Sequence, residues 1–184
     1  YEYVRDVGRL ASEAGLANVL VSNGMVNEEP LTELLGIVDA ANIDLKGFTQ
    51  GFYDTAGGDL SAVKRTIETL AADPTCHLEV TTLVIPGLND DPDEIDAAAA
   101  WLASLDPAIP YHLTRFFPCH RMLDRPPTPV SALHALADVA RRHLSDVLWG
   151  IAERYATFRN ARPRRGQMRY HIYVPKRHLL IGDG

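Results

Sequence analysis

The chain has 184 residues, 46% of them apolar and 23% charged, with a net charge of −6. That length supports one sizeable core, and no run of about 18 apolar residues offers a membrane span. Two cysteines, Cys76 and Cys119, exclude a disulfide framework and fit a reducing, cytoplasmic setting.

A first helix is predicted over residues 1 to 14, with Val4, Val7, Leu10 and Ala11 at helical spacing and Gly15 as its stop. "LANVLVSNG" reads as a strand running into a turn. Asn27 is the expected cap of a second helix, whose stripe is Leu31, Leu34, Leu35 and Val38. "ANIDLKG" is the next strand. A third helix starts at about Asp59 and presents Leu60, Val63, Ile67 and Leu70. "HLEVTTLVIPG" is rich in β-branched residues and closes on Pro86-Gly87, the clearest strand signal in the chain. Asp91, Pro92 and Glu94 have the spacing of a capping box, ahead of Ile95, Ala98, Ala99 and Leu102. "YHLTRFF" is a fourth strand. A last helix is predicted from Thr128 as cap and Pro129 as first residue, with Leu133, Leu136, Ala137, Ala140 and Leu144 inward.

Strands separated by single helices are parallel neighbours joined by right-handed crossovers, so the fold class is α/β. An open sheet and a barrel both satisfy this order. Residues 1–149 carry a balance of −12 and residues 150–184 a balance of +6. The abrupt change predicts a boundary near Gly150, between an α/β body and a basic C-terminal tail. The tail reads as a divergent segment, a phosphate- or RNA-binding arm, or a strand pair, "RYHIYVP" and "HLLIG".

In parallel α/β folds ligands bind beyond the carboxyl ends of the strands. The four expected strands end in Ser22-Asn23-Gly24, in Asp44-Leu45-Lys46-Gly47, in Pro86-Gly87 with Asn89-Asp90 beyond, and in Arg115, Pro118 and His120. Each has a plain alternative. Ser22-Asn23-Gly24 also suits a simple turn. Asp44 and Lys46 also suit a surface ion pair. Pro86-Gly87 is also a turn signal, and His120 also suits an exposed loop. What singles them out is that parallel strands bring all four ends to one rim. Asp44 and Lys46, two residues apart, share a face of their strand.

The ordered series "SNG…DLKGF…EVTTLVIPGLND…RFFP…DRPPTP" resembles successive strand ends of radical S-adenosylmethionine (radical SAM) enzymes. Over residues 1 to 148 it is most similar to the radical SAM member of the AmmeMemoRadiSam system, which is similar in turn to pyruvate formate-lyase activating enzymes. The resemblance implies a partial (βα) TIM-type barrel. It implies two cofactors, S-adenosylmethionine (SAM) and a [4Fe–4S] cluster that cleaves it reductively to a 5′-deoxyadenosyl radical for hydrogen abstraction. By resemblance Asn23 borders the SAM pocket, Asp44 and Lys46 line it, and Val84, Ile85 and Pro86 form the strand against which adenine packs. His120 matches a histidine of the activating enzymes. SAM carries an ammonium, a carboxylate and two ribose hydroxyls, which a mixed-charge rim can pair through charge-assisted bonds. A flavodoxin- or ferredoxin-type reductant and a protein or small-molecule substrate are the implied partners. Neither membrane nor nucleic acid is expected.

The family's Cys-x3-Cys-x2-Cys loop and Gly-Gly-Glu-Pro motif do not occur in this sequence. The resemblance therefore implies a chain lacking the first two barrel strands and the cluster loop, and inactive by itself. Two other readings compete. One is a (βα)-barrel lyase forming a Schiff base at Lys46. The other is a non-catalytic fragment with an exposed strand edge.

Overall fold

The structure, a computed structural model, describes residues 1–150. Its elements run α1 (Glu2–Glu13), β1 (Val19–Ser22), α2 (Glu28–Leu35), β2 (Ala40–Asp44), α3 (Gln50–Ala56), α4 (Leu60–Ala71), β3 (His77–Val84), α5 (Pro92–Leu105), β4 (Tyr111–Arg115), α6 (Val130–Ala140) and β5 (Val147–Gly150). The five strands form one parallel sheet in the order β1-β2-β3-β4-β5. Each crossover advances the sheet in the same direction. A doubly wound sheet would reverse at a switch point; this one has the progression of a (βα) repeat. Among the described residues β1 and β5 are its two edges.

One set of alternating strand residues makes the core. Ala41, Ile43 and Leu45, Leu78, Val80 and Val84, Tyr111 and Leu113, and Val147 pack with Leu31, Leu34, Val63, Ile67, Leu70, Ile95, Leu102, Leu133 and Leu136 of the helices. The opposite set holds the polar side chains, Asn42 and Asp44 on β2, His77, Glu79 and Thr81 on β3, His112 and Thr114 on β4, alongside the apolar Val19, Val21, Ala40, Leu83 and Leu148. Period-two alternation thus divides the sheet into a helix-covered face and a face that is helix-free among the described residues and carries the sheet's buried charges.

Several local expectations need correction. The four expected strands are joined by a fifth, β5. α3 is an additional helix in the segment read as a connection. Thr49 caps it, accepting a hydrogen bond from the Phe52 N–H (3.3 Å), and Gly57 closes it at φ +74°. Thr128 does not cap α6; Pro129 holds that position. The Thr128 hydroxyl instead donates to the Val84 carbonyl (2.6 Å) and accepts from the Phe116 N–H (3.0 Å), because the chain leaving β4 folds back across β3. Asp91 caps α5 as expected, accepting from Asp93 N–H (2.9 Å). Its capping-box partner does not reach back: Glu94 accepts from the Phe48 N–H beyond β2 (2.5 Å).

α1 turns its apolar stripe outward. Val4, Val7 and Leu10 are exposed, and the buried position is Gly8. A Cβ there would stand 2.6 Å from Ile37 Cγ2, so the glycine lets α1 close on the Ile37 side chain in the turn after α2. Asn18 fastens this contact by donating to the carbonyls of Gly8 (2.9 Å) and Ile37 (3.0 Å). No helix among the described residues is long and apolar enough to cross a membrane. The expected basic tail and its possible strand pair lie, beyond Gly150, outside the described residues.

Candidate functional site at the strand ends

Parallel register brings the expected site residues to one edge of the sheet. Ser22 is level with Ile43, Asp44 with Thr81, and Val84 with Arg115, so Asn23, Lys46 and Pro86 each follow directly beyond the carboxyl end of a strand. Asp44 and Lys46 form an ion pair, Nζ to Oδ2 2.5 Å, with side chains 31% and 41% exposed. Both stand on the helix-free side.

The Lys46 backbone is held from two directions. Its N–H donates to the Tyr53 hydroxyl of α3 (3.1 Å). Its carbonyl accepts from Asn89 Nδ2 (2.7 Å), which also donates to the Leu83 carbonyl (2.9 Å). Asn89 Oδ1 accepts from the Ile85 N–H (2.7 Å). With 1% of its surface exposed, Asn89 is the buried tie between the ends of β2 and β3. Burial suits the Asn only because all these groups are paired. Tyr53 is buried as well, and burial, aided by the nearby Asp44 charge and outweighing the opposing bond from Lys46 N–H, raises its phenol above the ordinary value.

Glycines permit this crowding. A Cβ on Gly47 would lie 2.8 Å from Phe52 Cδ1 and 3.1 Å from Glu94 Oε1. Gly24 sits at φ +73°, where a Cβ would meet Ile43 Cγ2 at 2.9 Å, and its carbonyl accepts from the buried Thr66 hydroxyl (2.8 Å).

The remaining expected residues separate. Asn23 is exposed, and its Oδ1 accepts from the Met25 N–H (3.0 Å), a local turn bond. Val84 points to the helices and is fully buried, so only its backbone belongs to the rim; Ile85 is 9% exposed. The Pro86 carbonyl accepts from Arg125 Nη1 (2.8 Å), and Gly87 turns at φ +73° with its N–H on Asp90 Oδ1 (2.8 Å). His120 lies in the exposed loop after β4 with a left-handed φ of 51°. Tyr53 is a rim-building residue that the motifs did not single out; Arg125 and Thr128 stand in the "DRPPTP" motif, but in roles that the motif did not assign. Asn89 stands in the "EVTTLVIPGLND" segment and in the turn beyond Pro86-Gly87, neither of which predicts its bond to Lys46.

Among the described residues no group of three or more His, Cys, Asp or Glu side chains is placed to hold a metal ion. Cys76 is half-buried beside β3 and Cys119 is exposed after β4. An iron–sulfur cluster of the expected kind needs several thiolates, so these residues do not fit one. The Asp44–Lys46 pair and its hydrogen-bonded surroundings do offer both charges to a zwitterionic ligand.

No family model matches the chain. It is 34% identical over 141 residues to the uncharacterized protein MJ0808 of Methanocaldococcus jannaschii, an alignment covering 76% of this chain and 41% of that protein. The chain therefore spans about two fifths of the length of that curated relative. Among solved structures, a domain of pyruvate-formate lyase-activating enzyme from Bacteroides vulgatus superposes with a TM-score of 0.69. It shares 19% identity, with 82% of this chain and 91% of that chain covered. TYW1 with a lysine-pyruvate adduct bound superposes with a TM-score of 0.56 at 18% identity, with 79% and 47% covered. On this evidence the described residues have a radical SAM-like α/β fold.

Proposed function

We propose that this chain is the SAM-binding portion of a radical SAM enzyme of the AmmeMemoRadiSam kind, a partial barrel whose first two strands and cluster loop belong to a segment outside this sequence. The observation that carries the reading is the Asp44–Lys46 pair, pinned at the open end of a radical SAM-like sheet by Asn89 and Tyr53. Asp44 would take the ligand's ammonium or ribose hydroxyls and Lys46 its carboxylate. Asn23 would border the methionine end, the Val84–Pro86 backbone would flank adenine, and His120 would approach from the β4 loop. With a cluster bound elsewhere and an electron from a flavodoxin- or ferredoxin-type donor, SAM supplies a carbon radical. The chain's own residues bind and orient it, and no thiolate set here holds the iron.

Calorimetric titration of the chain with SAM tests this. Binding that weakens in both Lys46→Met and Asp44→Asn is expected. No binding, or variants that bind like the parent, overturns the reading.

A second reading draws on the lysine-pyruvate adduct of TYW1: Lys46 condenses with a carbonyl substrate. Borohydride in the presence of pyruvate would then label Lys46, and a Lys46→Ala chain would stay unlabelled. Absence of any label removes this alternative.

A further inference from the structure

The helix-free face carries a second polar group that the proposed rim does not use. Glu79 is 2% exposed and His112 6%. Glu79 Oε2 lies 2.9 Å from His112 Nε2, and its Oε1 lies 3.3 Å from His77 Nε2. Glu79 is level with Asn42, and His112 is level with Thr81, which is itself level with Asp44. Glu79 therefore sits one pleat, roughly 7 Å along the strand, beneath the Asp44–Lys46 pair and on the same face.

The carboxylate determines which nitrogens carry protons. Burial pushes the Glu79 carboxyl up, but the hydrogen bonds and charges of His112 and His77 outweigh it and hold the group at about 2. At neutral pH Glu79 is ionised and can only accept, so both Nε2 atoms donate. In neutral His112 the lone pair is then on Nδ1. That atom makes no hydrogen bond among the described residues, yet among those residues no fully buried side-chain nitrogen or oxygen lacks a partner. Nδ1 therefore keeps contact with solvent although the residue as a whole is buried. A strand clip would need no such opening, and the β3–β4 backbone ladder already joins these strands. A carboxylate behind one nitrogen and an open lone pair on the other is the arrangement of a general base.

We propose that His112 is a proton-accepting catalytic residue of the helix-free face and Glu79 its positioning residue, serving a polar substrate that lies beneath the rim. The substrate's O–H or N–H bond breaks, its electron pair stays on the substrate, and the proton bonds to Nδ1. The imidazolium formed is stabilised by Glu79. His77 on β3 supplies a second donor to that carboxylate, and Asp44 and Lys46 on β2 are the charged groups above. Leu148 of β5, level with His112, is apolar. The proposal rests on the strand-end reading only for the direction from which substrate enters.

Two measurements on the whole chain test it. Long-range 1H–15N spectra at neutral pH, assigned with His112→Asn, should show His112 as the Nε2–H tautomer with Nδ1 unprotonated. Glu79→Gln should move the population toward Nδ1–H. Diethylpyrocarbonate should modify His112 in the folded chain, and more slowly in Glu79→Gln, whereas a purely structural pair would react only after unfolding in urea. An Nδ1–H tautomer in the parent chain, an unchanged tautomer in Glu79→Gln, or a His112 inert until unfolding overturns the proposal. Failure of SAM to bind the rim would overturn the strand-end reading alone; these readouts judge the dyad independently of it.

Discussion

Asn89 Nδ2 lies 2.7 Å from the carbonyl oxygen of Lys46, a residue 43 positions earlier in the chain. Through this bond a turn residue after β3 sets the position of the backbone that carries the rim's ammonium. Asn89→Leu removes this bond together with those to Leu83 and Ile85. Buried groups left without partners cost about 1–3 kcal/mol each. Urea unfolding should show a loss of at least about 2 kcal/mol, and SAM affinity should fall with it. A variant as stable as the parent would show that water replaces the side chain.

Gly47 should tolerate no side chain. In Gly47→Ala the new methyl would press on Phe52 at a distance that forces a shift, and crowd Glu94 Oε1 at 3.1 Å. Overpacking of this kind costs about 1–3 kcal/mol. Gly36→Ala is the control, since a Cβ there meets nothing within 4 Å. Its unfolding midpoint should stay at or above the parent's.

Thr128→Val keeps the shape of the side chain but leaves the Val84 carbonyl and Phe116 N–H unpaired in a fully buried setting. The expected cost is about 1–3 kcal/mol. A helix cap would behave differently: Thr128→Asn would rescue a cap and should fail to rescue this strap. Equilibrium denaturation of the two variants decides.

Glu79 makes stability depend on acid. Its carboxyl is held at about 2, below the ordinary 4.5, so the folded state binds fewer protons than the unfolded one in that interval. The contribution is complete above pH 4.5 and is lost as pH falls toward 2. Urea midpoints measured from pH 7 to pH 2.5 should drop less steeply for Glu79→Gln than for the parent chain. Parallel curves would mean that the carboxyl titrates normally.

The two thiols should differ in reactivity. Burial, with added repulsion from Asp73 and Asp39, pushes Cys76 up to about 11, whereas Cys119 is exposed. A disulfide reagent at pH 8 should therefore label one thiol quickly, lost in Cys119→Ser, and the other only on unfolding. Two equally fast thiols would contradict the burial of Cys76.

The helices and strands with long periods were legible in the residues themselves. The stripes of α2, α4, α5 and α6 and the alternation of β2 and β3 record which side must leave water, and burial follows that record. Two short elements escaped, β5 of four residues and α3 of seven; β1 is as short as β5 but was marked by an apolar run closing on the turn residues Ser22-Asn23-Gly24. The strand ends could be located too, since apolar runs stop where Asp44-Leu45-Lys46-Gly47 and Pro86-Gly87 begin.

Pairing across the sheet was a different matter. Thr128 has the local signature of a cap, Glu94 that of a capping box and α1 that of a core-facing helix, yet each is committed elsewhere by a contact distant in sequence. The sequence alone determined the α/β class and the edge where polar residues gather, because burial and turn chemistry act over a few residues. Only the tertiary structure decided that Asn89 anchors Lys46 and that Glu79 meets His112. Those contacts depend on strand register, which places side chains tens of positions apart within a few ångströms of each other.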